Sequence, residues 1–259
     1  MAERRLIAGI HPIRVRLRQR AGAVKELFCA RERDDARMHE LIQLAEQHSI
    51  PVRFIDAQRL DAMAGGARHQ GVVARVDPLD APDDVHDILD RLEDRATSAL
   101  LLVLDGIQDP HNLGACLRVA DAAGVHAVIA PKDRAVGISV TVERVAAGAV
   151  DNVPYLTVTN LARTLRELKE RSIVCIGADD SAPTDLWQVD QQASIAWVLG
   201  AEGAGLRRLT RETCDRLARI PMYGAVESLN VSVATGICLF EARRQRERDR
   251  GWQVSRGAD

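Results

Sequence analysis

The sequence predicts an α/β protein built on a parallel sheet, and two observations lead to that prediction. From residue 99 onward, short and continuously apolar runs alternate with segments that have helical spacing. Such runs are typical of strands buried on both faces, as in a parallel sheet covered by helices. The second observation is bulk composition: 259 residues, 46% hydrophobic and 28% charged, suffice for one large domain or two modest ones.

The first part of the chain is predicted to form a smaller α/β unit. Strands are predicted at Val24–Ala30, Val52–Ile55 and 71–76. A helix is predicted at 34–47, where apolar residues recur at helical spacing, and a shorter helix at 57–63. The first 20 residues are rich in arginine, and runs of this kind are most often solvated faces, with contact to a polyanion as the alternative.

A stretch rich in proline and aspartate, DPLDAPDD, follows this unit and is predicted to be a linker. A short helix at Val85–Glu93 is predicted to lead out of it. The predicted organisation is therefore a first domain at 1–76, a linker at 77–97, a second domain at 98–247 and a C-terminal tail at 248–259.

The second domain is predicted to contain six buried strands, at 100–104, 127–130, 153–156, 173–176, 195–199 and 218–221. In a parallel sheet the ligand binds beyond the carboxyl ends of the strands. The residues after each strand are therefore the candidates for function, and three of these loops carry unusual polar residues.

The first loop, DPHNLGACLR, follows the strand at 100–104. The residues from Asp109 to Asn112 are predicted to form a turn that starts a helix, and Gly114 permits close backbone approach. Arg118 lies six residues after Asn112, within two turns of the start of this helix. An ordinary capped helix with one surface arginine would have the same sequence.

The second loop, GAEGAGLRR, follows the strand at 195–199. Gly200, Gly203 and Gly205 allow the backbone to approach a ligand closely. Glu202 would repel a pyrophosphate, whereas it suits a positively charged ligand or a ribose hydroxyl. The glycine spacing also fits a dinucleotide-binding loop poorly.

The third loop, ESLNVSVATG, leads into a predicted helix at 231–244. Ser228 and Asn230 are good helix caps, because their side chains accept hydrogen bonds from the free amides of a first turn. Three polar loops that follow three buried strands are expected to converge, so we expect this segment to cap the helix and to line a site.

Together DPHNLGACLR, GAEGAG and ESLNVSVATG resemble the three motifs of the SpoU (TrmH-type) branch of the SPOUT methyltransferases. GIHPIRVRL and HQGVVARV resemble the small substrate-binding domain of these enzymes, so the resemblance covers nearly the whole chain. It implies a parallel sheet with a deep trefoil knot, a ribosomal-protein-like RNA-binding domain at the N-terminus and a homodimer with the active site at its interface. The implied activity is 2′-O-methylation of a guanosine ribose in 23S rRNA with S-adenosylmethionine as cofactor.

The resemblance also assigns residues by motif position. It implies cofactor contacts at Gly200, Ile220 and Leu229. It implies catalytic roles at five further positions, which are Asn112, Arg118, Glu202, Ser228 and Asn230. No metal is expected.

Several classes of protein are disfavoured by composition. Five scattered cysteines without a CxxC pair argue against a disulfide framework or a zinc cluster, and suit the cytoplasm. No apolar run approaches a membrane span, and the charged N-terminus is unlike a secretory signal. The net charge of −2 gives no global sign of a nucleic-acid partner. The alternatives that stay open are a tRNA guanosine 2′-O-methyltransferase and a non-catalytic RNA-binding protein of ribosome assembly; an oxidoreductase is disfavoured by the glycine spacing.

Overall fold

A computed structural model describes residues 5–66, 68–77, 84–226 and 228–248 of the chain. The chain divides into two compact units, Met1–Ala81 and Pro82–Asp259. Each unit has its own sheet and its own buried core.

The smaller unit has a four-stranded sheet in the order β1-β4-β2-β3. Its strands are β1 (Arg5–Ala8), β2 (Val24–Ala30), β3 (Val52–Ile55) and β4 (Val72–Val76). Its helices are α1 (Ile10–Arg20), α2 (Ala36–Gln47) and α3 (Ala57–Ala64). β2 pairs in parallel with β3, whereas β4 is antiparallel to both β1 and β2.

The predictions for this unit are correct from residue 24 onward, but β1 and α1 were missed. In α1, arginine alternates with other residues through Arg14, Arg16 and Arg18, which hides the helical period. Among the residues of this helix whose side chains are described, only Ile13 and Leu17, four residues apart, reach 0% exposure. That spacing places about one fully buried residue in each turn. Such a pattern is too weak to predict a helix when arginine alternates along the same residues.

The larger unit has a six-stranded, entirely parallel sheet in the order β10-β8-β9-β5-β6-β7. Its strands are β5 (Leu100–Asp105), β6 (Ala127–Pro131), β7 (Tyr155–Val158), β8 (Val174–Ala178), β9 (Ile195–Gly200) and β10 (Arg216–Ala218). Its helices are α4 (Val85–Glu93), α5 (Pro110–Ala122), α6 (Val140–Ala146), α7 (Leu161–Glu170), α8 (Arg208–Thr213) and α9 (Val231–Arg248).

The predicted burial of this sheet on both faces is confirmed. Leu100, Leu102 and Leu104 belong to one buried cluster, which contains the apolar residues of α5 and α9. Leu101 and Val103 belong to a second cluster, which contains those of α4 and α7. Successive side chains of a strand point to opposite faces, so this alternation requires a helical layer on each side.

Two strands are displaced from their predicted positions. β7 begins after Pro154, because a proline has no N–H to donate to a ladder. β10 ends at Ala218, three residues before the predicted end. Beyond it the chain leaves β8, and Arg219 exchanges backbone hydrogen bonds with Thr184 and Leu186 instead.

The predicted linker contains a packed element. α4 buries Val85, Ile88 and Leu89 in the second cluster, so residues 85–93 belong structurally to the larger unit. The last helix runs to Arg248, beyond the predicted 244, and the rest of the predicted tail lies outside the described residues. The trefoil knot stays a prediction. Within the described ranges no helix is long and apolar enough to cross a membrane.

Candidate active site

A cavity of about 250 Å³ lies at the carboxyl end of the larger sheet. Its walls are the residues that follow β8, β9 and β10, together with the start of α9. Three of the loops therefore converge, as expected for a parallel sheet. Five of the predicted site residues line this cavity: Gly200, Glu202, Ile220, Ser228 and Leu229.

Gly200 is required by the turn that follows β9. A Cβ at Gly200 would fall within the backbone of Gly205 and Leu206. The turn closes where the Gly205 amide donates to the Ala201 carbonyl at 2.8 Å, and Gly203 and Gly205 have positive φ angles of 76° and 64°. Glycine adopts these angles without steric cost, so the sequence GAEGAG produces a cavity wall made of bare backbone.

A chain of hydrogen bonds connects the three predicted motifs. The Asn112 amide donates to Glu202 Oε2 at 3.2 Å, and the Asn230 amide donates to Asn112 Oδ1 at 2.8 Å. These side chains come from the start of α5, the loop after β9 and the start of α9. Because β5 and β9 are neighbours in the sheet, the loops that follow them are adjacent.

Asn230 also caps α9. Its Oδ1 accepts from the Ser232 amide at 2.9 Å and from the Ser232 hydroxyl at 2.6 Å. Its carbonyl accepts from the amides of Val233 and Ala234, each at 3.0 Å. One side chain therefore starts the helix and holds Asn112 in place. Asn230 itself does not line the cavity, whereas Ser228 and Leu229 of the same segment do.

Arg118 lies apart from this chain of hydrogen bonds. Its side chain is exposed on α5, does not line the cavity, and makes no hydrogen bond or ion pair with the residues that the structure describes. Six residues of α-helix place it about 120° around the axis from Asn112. The structure thus brings Asn112, Glu202 and Asn230 together, and it leaves Arg118 directed elsewhere.

An ion pair between the buried Asp105 and the exposed Arg207 fixes the end of the loop after β9. Asp105, at the end of β5, is 1% exposed. Its Oδ2 accepts from the Arg207 amide at 3.1 Å, and its Oδ1 accepts from Arg207 Nε at 2.6 Å. The charged hydrogen bonds satisfy a carboxylate that would otherwise be costly to bury, so the loop has one defined position.

The sequence predictions missed Asp179 and Asp180, which line the cavity after β8. Burial opposes the charge of Asp179, yet hydrogen bonds from Arg211 and Ser181 outweigh it and lower the pKa of this carboxyl. The signal was present in the sequence GADD, because these residues follow a buried strand as the other three loops do.

The cavity lining is acidic and otherwise apolar or small. Of its described residues, Asp179, Asp180 and Glu202 are acidic, and none is lysine, arginine or histidine. Such a lining suits a ligand with positive charge or hydroxyl groups and disfavours a phosphate. Within the described ranges no group of His, Cys, Asp and Glu could hold a metal. Burial raises the pKa of Cys116 to about 11, so this neighbouring thiol stays protonated.

Two family models match this chain. A model described as the SpoU rRNA Methylase family matches residues 99–240, and one described as RNA 2′-O ribose methyltransferase substrate binding matches residues 6–82. The first match includes all three motifs predicted from the sequence. The predicted family resemblance is therefore confirmed.

Curated relatives match nearly the whole chain. The 23S rRNA (guanosine-2′-O-)-methyltransferase RlmB of Bordetella pertussis is 56% identical over 247 residues, which is 95% of this chain and 100% of that protein. The protein of the same name from Escherichia coli K12 is 49% identical over 243 residues, or 93% and 98% of the two chains.

Solved structures have the same fold. The SpoU methyltransferase AviRb from Streptomyces viridochromogenes, in complex with AdoMet, has a TM-score of 0.71 at 26% identity and covers 95% of this chain and 91% of its own. The A. aeolicus TrmH/SpoU tRNA modifying enzyme has a TM-score of 0.55 at 32% identity and covers 63% of this chain and 85% of its own. The predicted α/β methyltransferase fold is confirmed by these similarities.

Proposed function

The chain belongs to the SpoU rRNA Methylase family, and on that premise we propose that it methylates the ribose 2′-oxygen of a guanosine in 23S rRNA. Relatives at 49% to 56% identity over almost the full length carry that activity in their names. The observation that carries the proposal is the acidic cavity with the Glu202–Asn112–Asn230 chain of hydrogen bonds beside it.

The cavity fits S-adenosylmethionine, which supplies an electrophilic methyl group on a sulfonium cation. Gly200, Ile220 and Leu229 contact the cofactor, chiefly through backbone groups. The bare backbone at Gly200 permits close approach, and the acidic lining favours a cation. A phosphate-binding loop is unnecessary, since this cofactor has no phosphate.

The polar residues orient the attacking ribose. Methyl transfer needs an aligned 2′-oxygen, a path for its proton and exclusion of water. Asn112, held between Glu202 and Asn230, positions the ribose. Glu202 holds a ribose hydroxyl, and Ser228 completes the pocket. Arg118 clamps a neighbouring phosphate, because a guanidinium stays protonated and binds phosphate in a bidentate manner.

A homodimer accounts for the position of Arg118. Val233 and Phe240 are 50% and 51% exposed on α9, and with Ile237 they form one apolar face at steps of three and four residues. We assign this face to contact with a second copy of the chain. Arg118 of one copy then completes the cavity of the other.

The smaller unit is assigned to RNA substrate binding, in keeping with the model that matches it. Deletion of residues through Val76 should weaken rRNA binding and leave the dimer intact, and a monomeric product would contradict the assigned interface. The activity is assigned to the cytoplasm, where thiols such as Cys29 and Cys116, both free and buried, stay reduced.

The deciding experiment is methyl transfer from labelled S-adenosylmethionine to separate 23S rRNA and tRNA transcripts, followed by alkaline hydrolysis. A 2′-O-methyl group removes the nucleophile that alkali needs, so the label survives in a resistant dinucleotide. Label from 23S rRNA alone is expected. Label from tRNA would contradict 23S rRNA as the substrate. An absence of label in both RNAs, and also in precursor ribosomal particles, would favour a non-catalytic RNA-binding protein.

A further inference from the structure

A second cavity, of about 320 Å³, lies at the same edge of the larger sheet, beyond β6 and β7. Its lining includes Asp133 and Arg134 after β6, Thr159 and Asn160 after β7, and Arg207 and Leu209 at the start of α8. The loop at 200–207 separates it from the acidic cavity: Gly200 to Gly205 line one side, and Arg207 lines the other. The ion pair between Asp105 and Arg207 fixes this shared wall.

Polar groups of this lining are free to bind a ligand. Arg134 is exposed and has no hydrogen bond or ion pair with the described residues, and the same holds for the side chains of Asp133 and Thr159. Asn160 uses its Oδ1 to cap α7 through the Arg163 amide at 3.0 Å. Its own amide group is thus available as a donor.

The backbone at Arg134 is also unusual. Its φ angle is 59°, a left-handed conformation that is strained for a non-glycine residue. This conformation occurs at the residue whose guanidinium is free beside the cavity. Of the apolar lining residues, Leu161 and Ala162 are buried, whereas Leu209 is 50% exposed.

These features together describe a nucleotide site. A guanidinium binds a phosphate oxygen pair, an exposed leucine provides a surface for the face of a base, and Asp133, Thr159 and Asn160 offer acceptors and donors to base edges. The volume suits one nucleotide and is too small for a stretch of helix. Proteins read RNA largely through single unstacked nucleotides of this kind.

We infer that this cavity binds an unpaired nucleotide of the rRNA that flanks the methylated guanosine. The inference rests on the proposed rRNA methyl transfer. The acceptor ribose itself must reach the acidic cavity, where the methyl donor binds, so the nucleotide in the second cavity is a neighbour on the same strand. The shared wall at 200–207 keeps the two ligands adjacent and separate.

The first test measures binding of a 23S rRNA fragment that contains the target guanosine to the full-length chain. Arg134→Ala should weaken RNA affinity about tenfold, and Arg134→Lys should recover most of the loss because it keeps the charge. Arg166→Ala is the matched control, since Arg166 is an exposed arginine on α7 that does not line the cavity. Its RNA affinity should change less than about twofold.

Affinity for S-adenosylmethionine, measured by calorimetry, should be the same in all three variants. Unchanged RNA affinity in Arg134→Ala would overturn the inference, as would an equal loss in Arg166→Ala. Since these measurements need no turnover, an absence of methyl transfer would contradict the proposed function separately.

The second test locates the base. Fragments with one abasic nucleotide, moved through the positions around the target, are compared on the wild type and on Leu209→Ala. One flanking position should weaken binding to the wild type about tenfold, and that sensitivity should disappear in Leu209→Ala. Equal sensitivity of both proteins at every position would overturn the inference. Loss of sensitivity at the target guanosine instead would place the acceptor base here and contradict the flanking assignment.

Discussion

The two cavities at the carboxyl edge of the larger sheet differ in the charge of their linings. The one beyond β8, β9 and β10 has Asp179, Asp180 and Glu202 and, among its described residues, no basic side chain. Among its described residues, the one beyond β6 and β7 has Asp133, the exposed Arg134, and Arg207, whose guanidinium is paired with Asp105. The loop at 200–207 forms a wall of both.

This difference shows how one sheet edge can serve two ligands of opposite charge. A parallel sheet delivers the ends of all its strands to the same edge, and the residues after each strand set the local chemistry. A sulfonium cofactor is attracted to the acidic side and an RNA phosphate to the arginine side. Each prediction below tests whether the two sides act separately.

The largest effect is expected for Arg118, which lines neither cavity. Arg118→Ala should lower kcat about 1,000-fold, because it removes the group that fixes the substrate phosphate. Affinity for S-adenosylmethionine should stay within about twofold of the wild type, since the acidic cavity is unchanged. Single-turnover transfer and calorimetry measure the two quantities. A loss of cofactor affinity would contradict the assigned role.

Co-assembly shows whether Arg118 acts on the cavity of a second copy. Arg118→Ala and Gly200→Ala subunits are each expected to be inactive, but a mixed dimer has one cavity with both groups intact. Co-expression with two different affinity tags isolates that dimer, and it should recover about half of the wild-type activity because one of two sites is restored. An inactive mixed dimer would mean that Arg118 acts within its own chain.

Gly200→Ala should lower affinity for S-adenosylmethionine about 100-fold. The added methyl group collides with the backbone of Gly205 and Leu206, and overpacking of this kind costs about 1–3 kcal/mol. RNA affinity should persist, because the arginine side is formed by other residues. Gly22→Ala is the control, since a Cβ there meets nothing within 4 Å. Equal losses of both ligands would show that the two sides are not separate.

A smaller effect is expected in the salt dependence of the two ligand affinities. RNA affinity falls with salt as phosphate contacts release counterions, and Arg134→Ala should reduce that slope by about one. Affinity for S-adenosylmethionine should depend little on salt, because this cofactor is not a polyanion and its binding releases no condensed counterions. A salt titration of both ligands on both proteins measures this. An unchanged salt dependence of RNA affinity in Arg134→Ala would contradict a phosphate contact in the second cavity.

The smallest effect concerns Asp179, whose folded pKa lies below the ordinary value of 3.8. Because the pKa of Asp179 is lower in the folded state than in the unfolded state, its ionised carboxylate stabilises the fold above pH 3.8. This stabilisation is lost as the pH falls through the pKa of the folded state. Asp179→Asn should therefore lower the free energy of unfolding by about 1 kcal/mol at pH 7. Urea unfolding should show this difference shrinking below pH 3.8.

Asp180→Asn is the matched control for that measurement, because Asp180 is exposed and has no partner among the described residues. Its free energy of unfolding at pH 7 should differ little from that of the wild type. An effect of the same size in both variants would indicate a general charge effect and not the Arg211 hydrogen bond.

The sequence predicted elements well where burial produces a clear period. β5 and β9 were predicted to within one residue, because their continuous apolar runs are buried on both faces of the sheet. α1 was missed because arginine alternates along it. β10 was misplaced because the apolar run continues to Pro221, whereas the pairing with β8 ends at Ala218. Local pattern reports burial, but pairing depends on the neighbouring strand.

By itself the sequence determined the fold class, the family and the three motifs, since these depend on residue types and spacing along the chain. Only the tertiary structure decided which side chains meet. Asn112 contacts Glu202, 90 residues away, and Asn230, 118 residues away, because β5 lies beside β9 and α9 packs against α5. The same strand order places an acidic cavity and an arginine-lined cavity on either side of one loop. Strand order is a property of long-range packing, and no local period encodes it.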